Sequence, residues 1–174
     1  AHVPSAEWQL DTVARALVDL STTESTRNRA VRALADYLPD AGEQIQVVAW
    51  ALVELATTES TRDRAVEALA AHVPSAEWQL DTVARALVDL STTESTRDRA
   101  VEALAVYVAS AEWQVDAAAR AFMFLAITEA TRTRAVDAIA THVHRTDRAT
   151  EAVALAARHL CSPTAWMHLC TGPP

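Results

Sequence analysis

The sequence predicts an all-α fold, a right-handed α-α solenoid (superhelix) of two-helix repeats. First, a 35-residue segment recurs along the chain, and periods of about 20–50 residues are typical of stacked arrays. Second, Gly occurs only twice in 174 residues, while the good helix formers Ala, Leu, Arg and Glu are abundant. Third, apolar residues within each segment recur at the spacing of an amphipathic helix.

The repeat has a constant step along the whole chain. Residues Ala1 to Ala35 recur at Ala71 to Ala105 with two positions changed, and a more divergent copy lies between them. The same step relates Pro4, Pro39, Pro74 and Ala109, and also Leu20, Leu55, Leu90, Leu125 and Leu160. We therefore expect one solenoid domain over residues 1–174, with units at about 4–38, 39–73, 74–108 and 109–143 and a degenerate capping unit at 144–174.

Each unit is predicted to contain two helices joined by a short polar link. In the first unit, Ser5 is the expected N-cap of a helix that ends near Leu20. The corresponding N-cap positions are Asp40, Ser75 and Ser110. Thr23 is the expected N-cap of the second helix, and Pro39 should end that helix because proline cannot continue it.

An apolar stripe on each helix predicts the core. The stripe comprises Ala6, Leu10, Val13, Leu17 and Leu20 on the first helix, and Ala30, Leu34, Tyr37 and Leu38 on the second. Neither helix can bury its stripe alone, so each unit needs its neighbours. We expect Leu90, at the Leu20 position of the third unit, to be a core residue.

Charge and composition disfavour several classes of function. The formal net charge is -8, whereas a nucleic-acid-binding surface is normally basic, so we regard nucleic acid as an improbable partner. The chain contains neither an apolar run long enough for a membrane helix nor a signal peptide, which predicts a cytoplasmic protein without membrane contact. Every basic side chain apart from histidine is Arg, a bias that suggests a GC-rich bacterial genome.

The sequence contains no recognisable catalytic or cofactor motif. It lacks a Gly-rich phosphate loop, G-x-S-x-G and H-E-x-x-H, so we expect neither an enzyme nor a bound cofactor. Two His-x-Cys pairs, His159 with Cys161 and His168 with Cys170, lie near the C-terminus. Zinc binding, a disulfide and ordinary capping residues are the alternatives there, and capping is favoured because the spacing fits no standard zinc pattern.

The two-helix unit and its length resemble those of tetratricopeptide and HEAT-type solenoids, and by length also of pentatricopeptide repeats. The tetratricopeptide signature Trp-x2-Leu-Gly-x2-Tyr is not reproduced. Leu10 follows Trp8 by two positions instead of three, the next position of the signature has no Gly, and Arg15 stands at the Tyr position. The resemblance is therefore one of architecture and carries over no functional residue. It implies a concave face that receives a peptide or protein.

The polar side of the first helix provides the candidate binding residues. Trp, Asp and Arg recur there, and Trp and Arg are enriched in binding hot spots. The candidates are Trp8, Asp11, Arg15, Trp50, Trp78, Asp81, Arg85, Trp113, Asp116 and Arg120. In the second unit Trp50 takes the slot that Arg15 holds in the first. The same residues could instead serve packing between repeats, and the sequence leaves both interpretations open.

Two further sets of residues recur in the second helix. Arg27 and its equivalents lie near the helix start, where we expect a carboxylate partner such as Glu24 or Asp19, with recognition of a phosphate or carboxylate ligand as the alternative. His2, His72 and His142 recur near the helix end, where a cation would complement the helix dipole.

The leading functional hypothesis is a protein- or peptide-binding repeat scaffold. Because the chain begins within a repeat, we expect it to be part of a longer array. The alternative is a structural solenoid, either a monomer or one that associates end to end through the open edge of its N-terminal repeat. A nucleic-acid-binding helical repeat is a third possibility.

Overall fold

The computed structural model describes residues 6–111, 115–146 and 150–160, without the side chains of residues 6–9 and 77. All regular secondary structure in these residues is helical and none of it is strand, which confirms the all-α prediction. The α-helices are α1 (Ala6–Leu20), α2 (Glu24–Tyr37), α3 (Ile45–Leu55), α4 (Glu59–His72), α5 (Leu80–Leu90), α6 (Glu94–Ser110), α7 (Asp116–Leu125), α8 (Glu129–Thr146) and α9 (Glu151–Leu160).

The helices pack in two rows. Each odd-numbered helix packs on the next odd-numbered one, from α1 to α9, and each even-numbered helix packs on the next even-numbered one, from α2 to α8. Helices consecutive in the chain also pack on each other and so join the rows. Residues that hold the same position in successive 35-residue segments therefore become neighbours along one row.

The second helix of each segment begins where the sequence predicts. Thr23, Thr58 and Thr93 are the N-caps of α2, α4 and α6. In the first of these, the Thr23 hydroxyl accepts from the Thr26 backbone N–H at 3.2 Å, and the Thr26 hydroxyl accepts from the Thr23 backbone N–H at 3.0 Å. Two backbone donors that the helix leaves unpaired are thereby satisfied.

The predicted first-helix N-caps Asp40 and Ser75 are wrong. Asp40 and Ser75 lie in 3-10 segments, Leu38–Asp40 and Val73–Ser75, and α3 and α5 begin five residues after them. The Ser75 hydroxyl donates to the His72 carbonyl oxygen at 3.0 Å, so it satisfies the end of α4 instead. Ser5 lies outside the described residues.

Ser110 also does not cap a first helix, because α6 runs through it. Its hydroxyl donates to the carbonyl oxygens of Val106 and Tyr107 in the last turn. Helix α4 ends at His72, before Pro74, whereas α6 has Ala109 at that position and is 17 residues long against 14 for α4. Proline thus ends the second helix where it is present, as predicted.

The core lies between the two rows and along them. The Leu55, Leu90 and Leu125 side chains are buried, and so are Ala30 and Leu34 of α2 and Leu38 directly after it. The expectation that the whole first-helix stripe is buried is wrong for α1, where Val13 and Leu20 are exposed, and Tyr37 of α2 is exposed as well. Of the described helices, α2 and α3 make the main contacts with α1, and neither covers Val13 or Leu20.

Candidate binding surface

The exposed side of the odd-numbered helices carries a continuous polar and aromatic surface. We call it the odd-helix face. It consists of Asp11, Gln46, Asp81 and Asp116, of Arg15, Trp50, Arg85 and Arg120, and of Asp19, Glu54, Asp89 and Phe124. Each of these three sets holds one repeat position, and its members are exposed or half-buried. The row packing brings the members of each set side by side.

Ion pairs run both along and across the helices of this face. Arg15 donates to Asp11 at 3.0 Å, and Arg85 donates to Asp81 at 3.4 Å, each within one helix. The other Asp81 oxygen accepts from Arg120 on α7 at 3.3 Å. Such exposed pairs stabilise a fold by about 0–1 kcal/mol.

A cation–π contact joins the first two odd-numbered helices. The Arg15 guanidinium carbon lies 5.6 Å from the centre of the Trp50 ring. The two residues share one repeat position, so the packing of α1 on α3 brings them together. The Trp50 side chain remains 40% exposed, which leaves part of the ring open to solvent.

A groove between α3 and α5 opens on this face. Its volume is about 370 Å³. It is lined by Gln46, Ala49, Trp50, Val53 and Glu54 from α3, and by Asp81, Thr82, Arg85, Ala86 and Asp89 from α5. Ala49 and Ala86 are small side chains that leave space between the helices. The groove thus has an aromatic wall, an apolar floor and charged rims.

A second groove lies between α5 and α7 and has a volume of about 190 Å³. Its lining comprises Asp81, Ala84, Arg85, Val88, Ala117, Arg120, Ala121 and Phe124. Phe124 is a large apolar side chain that is 66% exposed. Asp81 and Arg85 line both grooves, so the two form neighbouring depressions of one surface.

Of the four candidate tryptophans, the structure describes the side chains of Trp50 and Trp78, and only Trp50 lines a groove. Trp78 is 62% exposed, but it lies in the 3-10 segment Glu77–Gln79 and lines neither groove. The prediction placed Trp78 on the helix that carries Arg85, and it is wrong because α5 begins only at Leu80. Trp113 and the Trp8 side chain lie outside the described residues.

The remaining candidates lie on the odd-helix face, and five further residues join them, namely Asp19, Gln46, Glu54, Asp89 and Phe124. Asp116 accepts a hydrogen bond from the Thr150 hydroxyl, next to α9. Glu54, Asp89 and Phe124 were missed because an isolated polar or aromatic residue gives no signal by itself. The signal that identifies them is their shared repeat position, one helical turn after Trp50, Arg85 and Arg120.

Three of the recurring second-helix arginines, Arg27, Arg97 and Arg132, donate to backbone carbonyl groups. Arg27 donates to the Thr22 carbonyl oxygen at 3.4 Å, and Arg97 donates to those of Ser91 and Thr92 at 3.2 and 3.0 Å. The predicted carboxylate partner is wrong for both, although Arg132 does lie 3.8 Å from Glu129. These carbonyls follow the end of a helix and lack helical partners, which makes them available to the guanidinium.

The two described histidines of the recurring set are packed against the protein. Burial lowers the pKa of His72 because the charged ring would lose hydration. The expected role of His72 as a helix-end cation is therefore disfavoured. The His142 ring is buried, and its Nδ1 donates to the Ala111 carbonyl oxygen at 3.1 Å. His2 lies outside the described residues.

The described part of the chain contains no candidate for a metal site or a membrane span. Within residues 6–111, 115–146 and 150–160, no group of three His, Cys, Asp or Glu side chains could hold a metal ion. None of the helices there combines the length and apolarity that crossing a membrane requires. Cys161, His168 and Cys170 lie outside this part of the chain.

No protein-family model matches the sequence, and no curated protein or solved structure is similar enough to indicate a relationship.

Proposed function

We propose that the chain is a non-enzymatic protein- or peptide-binding scaffold, a right-handed solenoid of two-helix repeats that uses its odd-helix face for recognition. The observation that supports this best is the α3/α5 groove, in which an exposed Trp50 stands beside Arg85. Trp and Arg contribute disproportionately to protein interfaces, because they combine a large contact area with directional polar groups.

The shape of the surface favours an extended chain as the ligand. The two grooves are open depressions that share one wall, formed by Asp81 and Arg85. Adjacent helices pack about 8–10 Å apart, and a chain in the extended polyproline II conformation advances about 3.1 Å per residue and returns every third side chain to the same side. Side chains about three residues apart in a partner would therefore reach the two grooves in turn.

The charge of the face disfavours nucleic acid as the ligand. Its carboxylates are Asp11, Asp19, Glu54, Asp81, Asp89 and Asp116, and its guanidinium groups are those of Arg15, Arg85 and Arg120. Phosphate backbones are bound through an excess of basic groups, and here the acidic groups are in excess.

A peptide selection tests the proposal. A display library would be selected on the parent protein, and the bound peptides then measured on a Trp50→Ala/Arg85→Ala variant. The matched control is Arg64→Ala/Glu67→Ala on α4, which belongs to the other row. We expect affinity to fall at least tenfold on the face variant and to be kept on the control, both folded by circular dichroism. Equal affinity for both variants, or a selection that yields no binder, would contradict the proposal.

A self-assembling solenoid is the second candidate, and the exposed edge of α1 favours it. Val13 and Leu20 leave an apolar strip in solvent, whereas Val48 and Leu55 at the same positions are buried by the neighbouring helices. A second copy packed on this strip would remove it from water. Analytical ultracentrifugation of the parent and of Leu20→Gln tests the idea. A parent that stays monomeric at high concentration would argue against assembly.

A further inference from the structure

We propose that the α3/α5 groove binds an arginine or lysine side chain of an extended segment of the partner protein. This inference rests on the proposed function and specifies the chemistry of the ligand. It is supported by three properties of the groove, namely its unbalanced charge, its aromatic wall and its open apolar floor.

The charged rim of the groove contains more carboxylates than guanidinium groups. Glu54, Asp81 and Asp89 face a single guanidinium, that of Arg85. Asp81 is occupied by Arg85 and Arg120. Glu54 and Asp89 form no ion pair with any residue that the structure describes, and both are exposed. A cation entering the groove would therefore meet two carboxylates that are not yet neutralised.

The aromatic wall already accepts a guanidinium from one side. Arg15 of α1 lies 5.6 Å from the Trp50 ring centre, and Arg15 is not among the residues that line the α3/α5 groove. Because α3 lies between α1 and α5 in the row, the groove adjoins Trp50 on its α5 side. The negative face of an indole attracts cations, so Trp50 offers a partner the same kind of contact that Arg15 makes.

The floor suits the stem of a long basic side chain. Ala49, Val53 and Ala86 line it, and the aliphatic part of Arg or Lys packs on such apolar surface while its charged end stays at a polar rim. An aspartate or glutamate would instead face Glu54 and Asp89 at the rim. The groove therefore discriminates by charge and by length.

Peptide pools with one fixed residue test this. Fluorescein-labelled nonapeptide pools, with Arg, Lys, Leu or Glu fixed at the centre and mixed residues elsewhere, would be titrated with the parent by fluorescence polarisation. We expect the Arg and Lys pools to bind about tenfold more tightly than the Leu and Glu pools, from one cation–π contact and two ion pairs. The preference should shrink as salt is raised.

Matched variants separate the groove from the general acidity of the chain. The test variant Glu54→Gln/Asp89→Asn removes the two unpaired carboxylates of the groove. The control variant Asp36→Asn/Glu67→Gln removes one Asp and one Glu from exposed positions of the even-numbered helices α2 and α4, and it changes the net charge by the same amount. We expect the first variant to lose most of the preference for basic pools and the second to retain it. An equal loss in both, or in neither, would overturn the inference.

A third variant tests the aromatic wall. Trp50→Leu keeps an apolar side chain without the indole, so we expect the basic pools to lose about threefold in affinity with circular dichroism unchanged. If the Leu or Glu pool binds best and Trp50→Leu weakens that binding, the face recognises peptides but the ligand chemistry proposed here is wrong. If no pool binds the parent, both this inference and the proposed function are wrong.

Discussion

At the scale of single residues, Leu20 and Leu90 end two helical segments of identical sequence, residues 10–20 and 80–90, yet they have opposite surroundings. Leu90 is 2% exposed and Leu20 is 76% exposed. The packing of α5 between α3 and α7 covers Leu90, whereas α1 has a described neighbour in its row only in α3. How much each of these leucines contributes to stability therefore depends on the position of its helix in the row and not on the local sequence.

Alanine substitution at the two sites measures this difference. Leu90→Ala should lower the free energy of unfolding by about 2–5 kcal/mol, because it removes buried methyl groups and leaves a cavity. Leu20→Ala should change it by about 0.5 kcal/mol or less, as exposed substitutions usually do. Urea denaturation followed by circular dichroism gives both values. Equal losses at the two sites would contradict the packing described here.

His72 should make stability depend on pH near neutrality. Burial lowers its pKa below the ordinary value of 6.5, so the unfolded chain binds a proton more readily than the folded protein does. The free energy of unfolding should therefore fall as the pH drops below about 6.5, until the pH passes the lowered pKa. Above 6.5 the ring is neutral in both states and makes no such contribution.

A His72→Tyr variant isolates this effect, since the chain itself has Tyr37 and Tyr107 at the same repeat position. Thermal unfolding of parent and variant between pH 7.5 and 5.5 should show a steeper loss of stability in the parent. Parallel curves would mean that His72 titrates alike in the folded and unfolded states.

At the scale of helices, the hydroxyl caps were predictable and the 3-10 turns were not. Thr23 lies directly before a helical run, and its cap needs only residues three positions away. Ser75 also lies before a helical run, but its hydroxyl donates to the His72 carbonyl oxygen three residues earlier. Gln79 then precedes α5 and donates through its amide to the Gly42 carbonyl of the preceding segment. A contact across 37 residues gives no local signal in the sequence.

The candidate site was predictable in its composition but not in its pairings. A constant repeat step identified Asp11, Arg15, Asp81 and Arg85, and the two pairs within helices follow from their spacing. The contact of Arg15 with Trp50 depends on which helices are neighbours in space. The bond from Arg97 to the Thr92 carbonyl depends on the path of the link between helices. Neither can be read from a helical wheel.

Proline at position 109 should shorten α6. Ala109 stands where Pro39 and Pro74 follow the ends of α2 and α4, and α6 continues through it. We expect Ala109→Pro to end α6 near Tyr107. The loss in the free energy of unfolding should be smaller than the loss caused by a proline in the middle of the helix. The control Ala103→Pro, in the middle of α6, should cost about 3 kcal/mol or more. Chemical denaturation compares them, and an equal loss would mean that the end of α6 is not set by this position.

At the scale of the whole molecule, the buried core is separate from the odd-helix face. Buried leucines and alanines hold each helix to its row neighbours, while the odd-helix face takes little part in that core. Charges on the face can therefore vary between repeats at small cost, since exposed ion pairs contribute little. Trp50 stands at a position that is Arg in the other odd-numbered helices of the face, and Phe124 stands at a position that is otherwise acidic. The α3/α5 groove and the α5/α7 groove therefore differ in chemistry.

The most direct test of the central claim, that the odd-helix face binds the partner, is an NMR titration of the tryptophan indole N–H signals. The chain has five tryptophans, and Trp→Phe variants would assign their signals. The strongest peptide from the display selection would be added to ¹⁵N-labelled protein. We predict that the Trp50 signal shifts in a saturable manner while that of Trp78, exposed but outside both grooves, stays in place. A shift of Trp78 with Trp50 unmoved would show that binding occurs elsewhere and would contradict the claim.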